Sequence, residues 1–203
     1  DLSNLADLAQ LSPFEDVAVI QRRFLPKTNR FEVGTSVLNS LNNPFFNNIG
    51  LALNGTYFLT EKHGIELKYY FLSNSETEVT TNLEKNRDVQ TTSLVTPESF
   101  MGASYRWTPI YGKMSLMNSR IVPFDLFFNV GGGVTATDEG SSEPTVHIGP
   151  GQVFAISKSF SIRWDLTWNF YQATRLDSND EEISSNQDDL FLSIGMSFYF
   201  PEA

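Results

Sequence analysis

The 203-residue sequence has no cysteine and only two histidines, His63 and His147. The first absence excludes disulfides and thiolate metal sites. The second leaves no His/Asp/Glu grouping with metal-ligand spacing, so neither a metal nor another cofactor is expected. No apolar run approaches the roughly 20 residues that a membrane helix needs. Basic residues are few, 14 against 24 acidic ones, and the net charge of −10 argues against nucleic acid as a partner. A catalytic base is also hard to find. His147, beside Gly149, reads as a hydrogen-bonding interior residue, and the chain is read as non-enzymatic. Gly131-Gly132-Gly133 is no phosphate loop, because no helix follows it.

What the sequence does have is alternation. Along 190–200, Leu190, Leu192, Ile194, Met196, Phe198 and Phe200 share one face, and Phe191, Ser193, Gly195, Ser197 and Tyr199 the other. A period of two over that length is a long strand with one apolar side. Seven more strands read the same way, at 31–37, about 48–59, 64–71, around 101–107, 124–134, 146–155 (the poorest) and 160–170. Eight such strands make a closed up-and-down barrel, apolar either outside, facing lipid, or inside, as in soluble lipocalin-type barrels. The composition of the polar face decides between them. A solvated outer face would be rich in Lys and Glu, whereas this one is mostly Gly, Ser, Asn and Thr. Its few charges are nearly balanced, with Glu32, Glu66, Asp125 and Asp165 against Lys68, Arg106 and Arg163. Buried charges persist only when paired. The expectation is therefore an all-β, eight-stranded antiparallel transmembrane barrel whose narrow lumen is plugged by a paired network of those seven residues.

The links support this reading. Short ones at 60–63 and 157–159 alternate with longer ones at 39–47, 73–99, 137–144 and 174–189. That is the pattern of periplasmic turns and external loops, and an even strand number puts both chain ends in the periplasm. The link 108–123 breaks the rule, being long where a turn is expected, and holds either a short helix or a hairpin extension. Residues 1–25 form a separate leading segment before the barrel of 26–203. There Leu2, Leu5, Leu8 and Leu11 step by three until Ser12-Pro13, which reads as a short amphipathic helix. With Asp7 the one charge after Asp1, attraction to anionic lipid is absent, so packing on its own barrel mouth is favoured over lying at the inner membrane surface or touching a neighbouring subunit.

Two surface features invite a role. Asp177, Asp180, Glu181, Glu182, Asp188 and Asp189 are read as an acidic run in the last external loop, either solvated or, with the first four as candidate ligands, a cation-binding loop that bridges to lipid phosphates. On the lipid face, Gly132, Pro150 and Gln152 are poor lipid-facing residues. Contact with another protein and local strand bending explain them equally well; with Leu5 and Leu8 they are the candidate oligomer interface.

The segments 17–23, Pro26-Lys27, Arg30-Phe31-Glu32, 41–45, 107–113 and Phe124-Asp125 followed by the Gly131 triplet resemble the outer membrane β-barrel domain family of myxobacteria and predatory Bdellovibrio-type bacteria. The resemblance runs from about Val17 to the end. It implies an eight-stranded outer-membrane barrel without established enzyme activity. Some relatives are associated with gliding machinery, and porin-like relatives form rings of barrels that enclose lipid. On that basis the expected partners are outer-membrane lipid and further copies of the chain, in a homo-oligomeric ring of closed barrels. The alternatives are a monomeric structural or docking barrel serving an envelope or gliding machine, and a lipid-modifying barrel enzyme.

Overall fold

A computed structural model describes residues 23–43, 46–76, 96–116, 120–138, 140–176 and 182–201. The strands are β1 (Phe31–Ser40), β2 (Phe46–Phe58), β3 (His63–Glu76), β4 (Pro97–Leu116), β5 (Arg120–Thr137), β6 (Ser142–Ala155), β7 (Phe160–Leu176) and β8 (Glu182–Phe200). Each is antiparallel to its sequence neighbours, and β1 pairs with β8 to close the barrel. Burial alternates residue by residue, as the sequence period requires. Its sense is inverted relative to a soluble protein. Met101, Leu67 and Val146 are 67, 62 and 61% exposed, whereas Glu32, Glu66 and Arg106 are fully buried. Every strand contributes to an outer apolar band, which only lipid can cover without a large penalty. The leading helix expected from Leu2 to Leu11 lies outside the described residues.

The strands run longer than the hydrophobic alternation indicates. The links expected at 73–99 and 174–189 shrink to 77–96 and 177–181, and that at 137–144 to 138–141. Polar residues fill the added strand at this loop end, since a strand beyond the lipid has no reason to keep an apolar face. The link 108–123 is a hairpin extension, paired out to Leu116↔Arg120. Its β4 arm loses its β3 neighbour after His63↔Trp107, and its β5 arm gains β6 only from Phe124↔Phe154. The hairpin thus projects past the rim at the end where the chain termini lie. A one-residue register shift between Trp107 and Ile110, at Thr108-Pro109, marks the departure.

The glycines divide into two groups. A Cβ on Gly131 would collide with the Ala103 carbonyl oxygen, and one on Gly149 with that of Leu166. Bending accounts for these two, because neighbouring strands approach too closely for a side chain. It does not account for Gly132, whose Cβ would meet only the Thr145 carbonyl oxygen at 3.5 Å. Pro150 interrupts the β6–β7 ladder between Ile148↔Trp168 and Gly151↔Asp165 without shifting its register.

Candidate functional site

The lumen is built in three tiers. Toward the loop end, Leu38, Ala52, Tyr70, Phe100 and Phe191 point inward from five strands and pack together. The Tyr70 ring lies 5.2 Å from Phe100 and 5.8 Å from Phe191, and the His147 ring meets Phe100 edge-on at 5.3 Å. At the terminal end Leu25, Phe58, Ala155 and Tyr199 form a second apolar layer. Between them sits the ionic tier, walled off from water on both sides.

The ionic tier ties together β1, β2, β3, β4, β5 and β7. Arg106 Nη1 reaches Glu32 Oε2 at 2.8 Å and Glu66 Oε2 at 3.1 Å. Arg163 grips Asp165 through Nε and Nη2 at 2.8 and 2.6 Å. It also donates from Nη1 to Glu32 at 2.9 Å and from Nη2 to Glu66 at 3.2 Å. Lys68 Nζ stands 3.2 Å from Glu66 Oε1, and Thr56 Oγ1 and Asn129 Nδ2 each donate to Glu66 at 2.9 Å. The guanidinium of Arg106 lies 3.7 Å above the centre of the Phe127 ring. Two-pronged arginine contacts of this kind are the strong form of ion pair, and satisfied carboxylates are what make a buried cluster tolerable.

The structure buries all seven residues expected in the lumen and brings six of them into this cluster. Asp125 stands apart. Its partners come from the segment before β1, with Lys27 Nζ at 2.9 Å and Arg23 Nη1 at 3.5 Å. The seven expected residues comprise four acids and three bases, and the fully buried Lys27 adds a fourth cation beside Asp125; a fifth buried wall acid, Asp189 on β8, accepts the Tyr171 hydroxyl at 2.8 Å instead. The excess of one acid among those seven is the trace this arrangement leaves in the sequence, where the set reads as nearly balanced.

Residues 23–30 therefore act as a stopper in the terminal mouth. Arg30 donates to the carbonyl oxygens of Pro26, Lys158, Tyr199 and Pro201 at 2.7, 3.1, 3.2 and 2.7 Å, tying the stopper to the β6–β7 turn and to the end of β8. Asn29, at φ 58°, turns the chain from stopper to strand, a left-handed conformation that asparagine tolerates. The Glu61 carboxylate, in the β2–β3 turn, accepts the backbone N–H groups of Lys27 and Thr28, each at 3.0 Å, and the Thr28 hydroxyl at 2.7 Å. Partial burial pushes this carboxyl up, but those hydrogen bonds and the Arg23 charge outweigh it and hold it below its ordinary value. Burial pulls the Lys27 ammonium below its ordinary value, and Asp125 offsets only part of that.

The other expected residues are more scattered. Gly132 lies in an outer-wall trough of about 610 Å³ with Gly55 and Ala103, edged by Leu53, Met101 and Val134. Val33↔Gly55↔Leu67↔Ala103↔Gly132 form one continuous row across β1 to β5. Pro150 and Gln152 stand further toward the terminal end, and Gln152 Oε1 accepts a hydrogen bond from Trp164 Nε1 at 3.2 Å. The structure does not unite them with Gly132. His63 hydrogen-bonds Tyr105 and stacks on it on the outer surface. Both ring nitrogens of His147 are buried without a partner among the described residues. Leu5, Leu8, Asp177, Asp180 and Glu181 lie outside the described residues, as does the side chain of Glu182 at the start of β8.

No family model matches the chain, and no curated protein sequence is similar to it. Solved structures are similar in fold. OprG, an outer membrane protein of Pseudomonas aeruginosa, aligns with a TM-score of 0.53 and 11% identity over 88% of this chain and 99% of that one. Neisserial surface protein A gives 0.43 at 8% identity, covering 83% and 95%. A major outer membrane protein of Thermus thermophilus gives 0.40 at 13%, covering 84% and 98%. At these identities the likeness concerns the fold, an eight-stranded transmembrane barrel of the outer-membrane type.

Proposed function

We propose that this outer-membrane barrel carries nothing through its lumen and is not an enzyme, and that its function lies on its outer wall and its two ends. The observation that carries this reading is the sealed lumen, with two apolar tiers and a stopper enclosing a neutralised ionic cluster. The same tiers leave His147 out of reach of any substrate, against the lipid-modifying alternative. The terminal end with its short turns faces the periplasm, and the loop end faces outward. In planar bilayers the reconstituted protein shows no discrete conductance steps; large, long-lived open channels would overturn the reading.

The outer wall supports self-association as the more specific form of this function. Gly55 and Gly132 have room for a side chain within the barrel, so the trough they share with Ala103 is not explained by the barrel's own packing. A second copy seated there, repeated around a ring, would enclose lipid, in line with the family resemblance. Native mass measurement in mild detergent reads the subunit number directly. Gly132→Trp fills the trough and lowers that number, whereas a single-barrel mass already in the unsubstituted protein leaves the monomeric docking barrel as the better reading.

A further inference from the structure

On the opposite wall, at the loop end of β6 to β8, a groove of about 680 Å³ combines aromatic and planar polar side chains. Trp168 and Phe170 point outward with ring centres 5.0 Å apart. Above them on the same face stand Gln172, Asn186 and Asp188. The register places Phe170 opposite Asp188 and Gln172 opposite Asn186. The groove is held in shape. Trp168 Nε1 donates to Asp188 Oδ2 at 3.0 Å, and Gln172 Nε2 donates to Asn186 Oδ1 at 3.1 Å. Asn42, from the link after β1, donates to the Asp188 carbonyl oxygen at 2.8 Å and takes the Leu190 N–H at 2.9 Å. Gln172 Oε1, Asn186 Nδ2 and Asp188 Oδ1 keep no partner among the described residues, and all three side chains are exposed.

Height along the strand tells what meets this groove. Counting from Phe160 at the terminal end of β7, Trp168 is the ninth residue and Phe170 the eleventh. A tilted strand of about 9–11 residues spans the hydrocarbon. The aromatic pair therefore stands at the outer edge of the lipid, with the amides and the carboxylate at headgroup level. Interfacial aromatics are common by themselves. An aromatic floor beneath two unpartnered amide groups and a carboxylate is more particular, because it matches a sugar ring, whose faces are apolar and whose edge carries hydroxyls. The charged side chain on this outward face, Asp188, is acidic, so an anionic group is disfavoured.

We infer that the groove of Trp168, Phe170, Gln172, Asn186 and Asp188 binds an uncharged sugar ring of an outer-leaflet glycolipid headgroup. This rests on the loop end facing outward. The test uses the folded full chain in detergent with purified lipopolysaccharide carrying core sugars, against phosphatidylglycerol, followed by native mass measurement. Lipopolysaccharide stays bound, and Trp168→Ala weakens it about tenfold. Trp107→Ala, which removes an outer-face tryptophan nearer the terminal end, leaves binding unchanged. Because Trp168 also packs on the wall, Gln172→Ala combined with Asn186→Ala provides a second variant outside the lipid band, with a loss of the same order. Equal binding by all variants, or phosphatidylglycerol binding as tightly as lipopolysaccharide, overturns the inference. Orientation is read separately. The chain lacks cysteine, so Ser142→Cys gives one thiol at the loop end for a membrane-impermeant maleimide on intact cells. Labelling places the groove outside. Protection of that thiol overturns the orientation, and the glycolipid assignment with it, whatever the detergent result.

Discussion

Lys27 is a lysine enclosed by protein whose one carboxylate partner, Asp125, is shared with Arg23. Its lowered proton affinity indicates that desolvation outweighs the pairing. Removing one member of such a pair strands the other, at about 3–5 kcal/mol, whereas replacing both with apolar groups is often neutral or stabilising. Lys27→Met is therefore expected to lower the unfolding free energy of the vesicle-reconstituted barrel by about 3 kcal/mol, less than the upper figure because Arg23 remains. Lys27→Met with Asp125→Leu is expected to restore most of that loss, read by a double-mutant cycle in urea. Glu61 behaves in the opposite sense. Its carboxyl is held below the ordinary value of 4.5, so the unfolded chain takes up protons first as pH falls. The stabilisation of the stopper is full above that value and is lost as pH drops through the lower, folded pKa. A fluorophore on the stopper should report constant docking from pH 8 to 5 and loosening below about 4.5, and Glu61→Gln should remove that pH dependence.

At the scale of elements, the eight strands were legible because an apolar face must repeat every second residue wherever lipid touches it. Where lipid stops, that signal stops too. The loop-end parts of β7 and β8, rich in Ser, Asn and Gln, read as loop, yet their backbones pair as far as Leu176↔Glu182. The β4–β5 extension was legible only as one of two alternatives, beside a short helix, for a related reason. Tyr111, Lys113 and Ser115 face across to Asp125, Pro123 and Ile121, and Pro123 resembles a break. A proline is tolerated there because β5 has no β6 partner before Phe124. The stopper escaped because buried charge in an irregular segment has no period, and an excess of one acid among the seven lumen residues is too small to single it out. Since the outer part of the extension lies past the rim, replacing residues 115–121 with a two-residue hairpin turn, which keeps the buried Val122 and its Met114 partner, should leave barrel stability within about 1 kcal/mol, measured by urea unfolding in vesicles. A larger loss would mean that the extension supports the barrel itself.

For the whole molecule, the ionic tier matters through the strands it joins. Arg163 on β7 meets Glu32 on β1, and these strands are separated by β8 along one side of the ring and by five strands along the other. Arg163→Met should therefore cost about 3–5 kcal/mol, because Glu32, Glu66 and Asp165 all lose a partner. The cost should fall on the closed state, visible in urea as faster unfolding with refolding little changed. In an open sheet, the Arg163–Glu32 contact does not exist, and both side chains are left short of a partner. Pairing becomes complete only when β8 zips against β1 along Phe31↔Phe200 to Ser40↔Phe191. A half-built barrel is then penalised twice, by raw strand edges and by unmatched charge. Assembly should proceed as a single concerted event, with seam closure as its checkpoint.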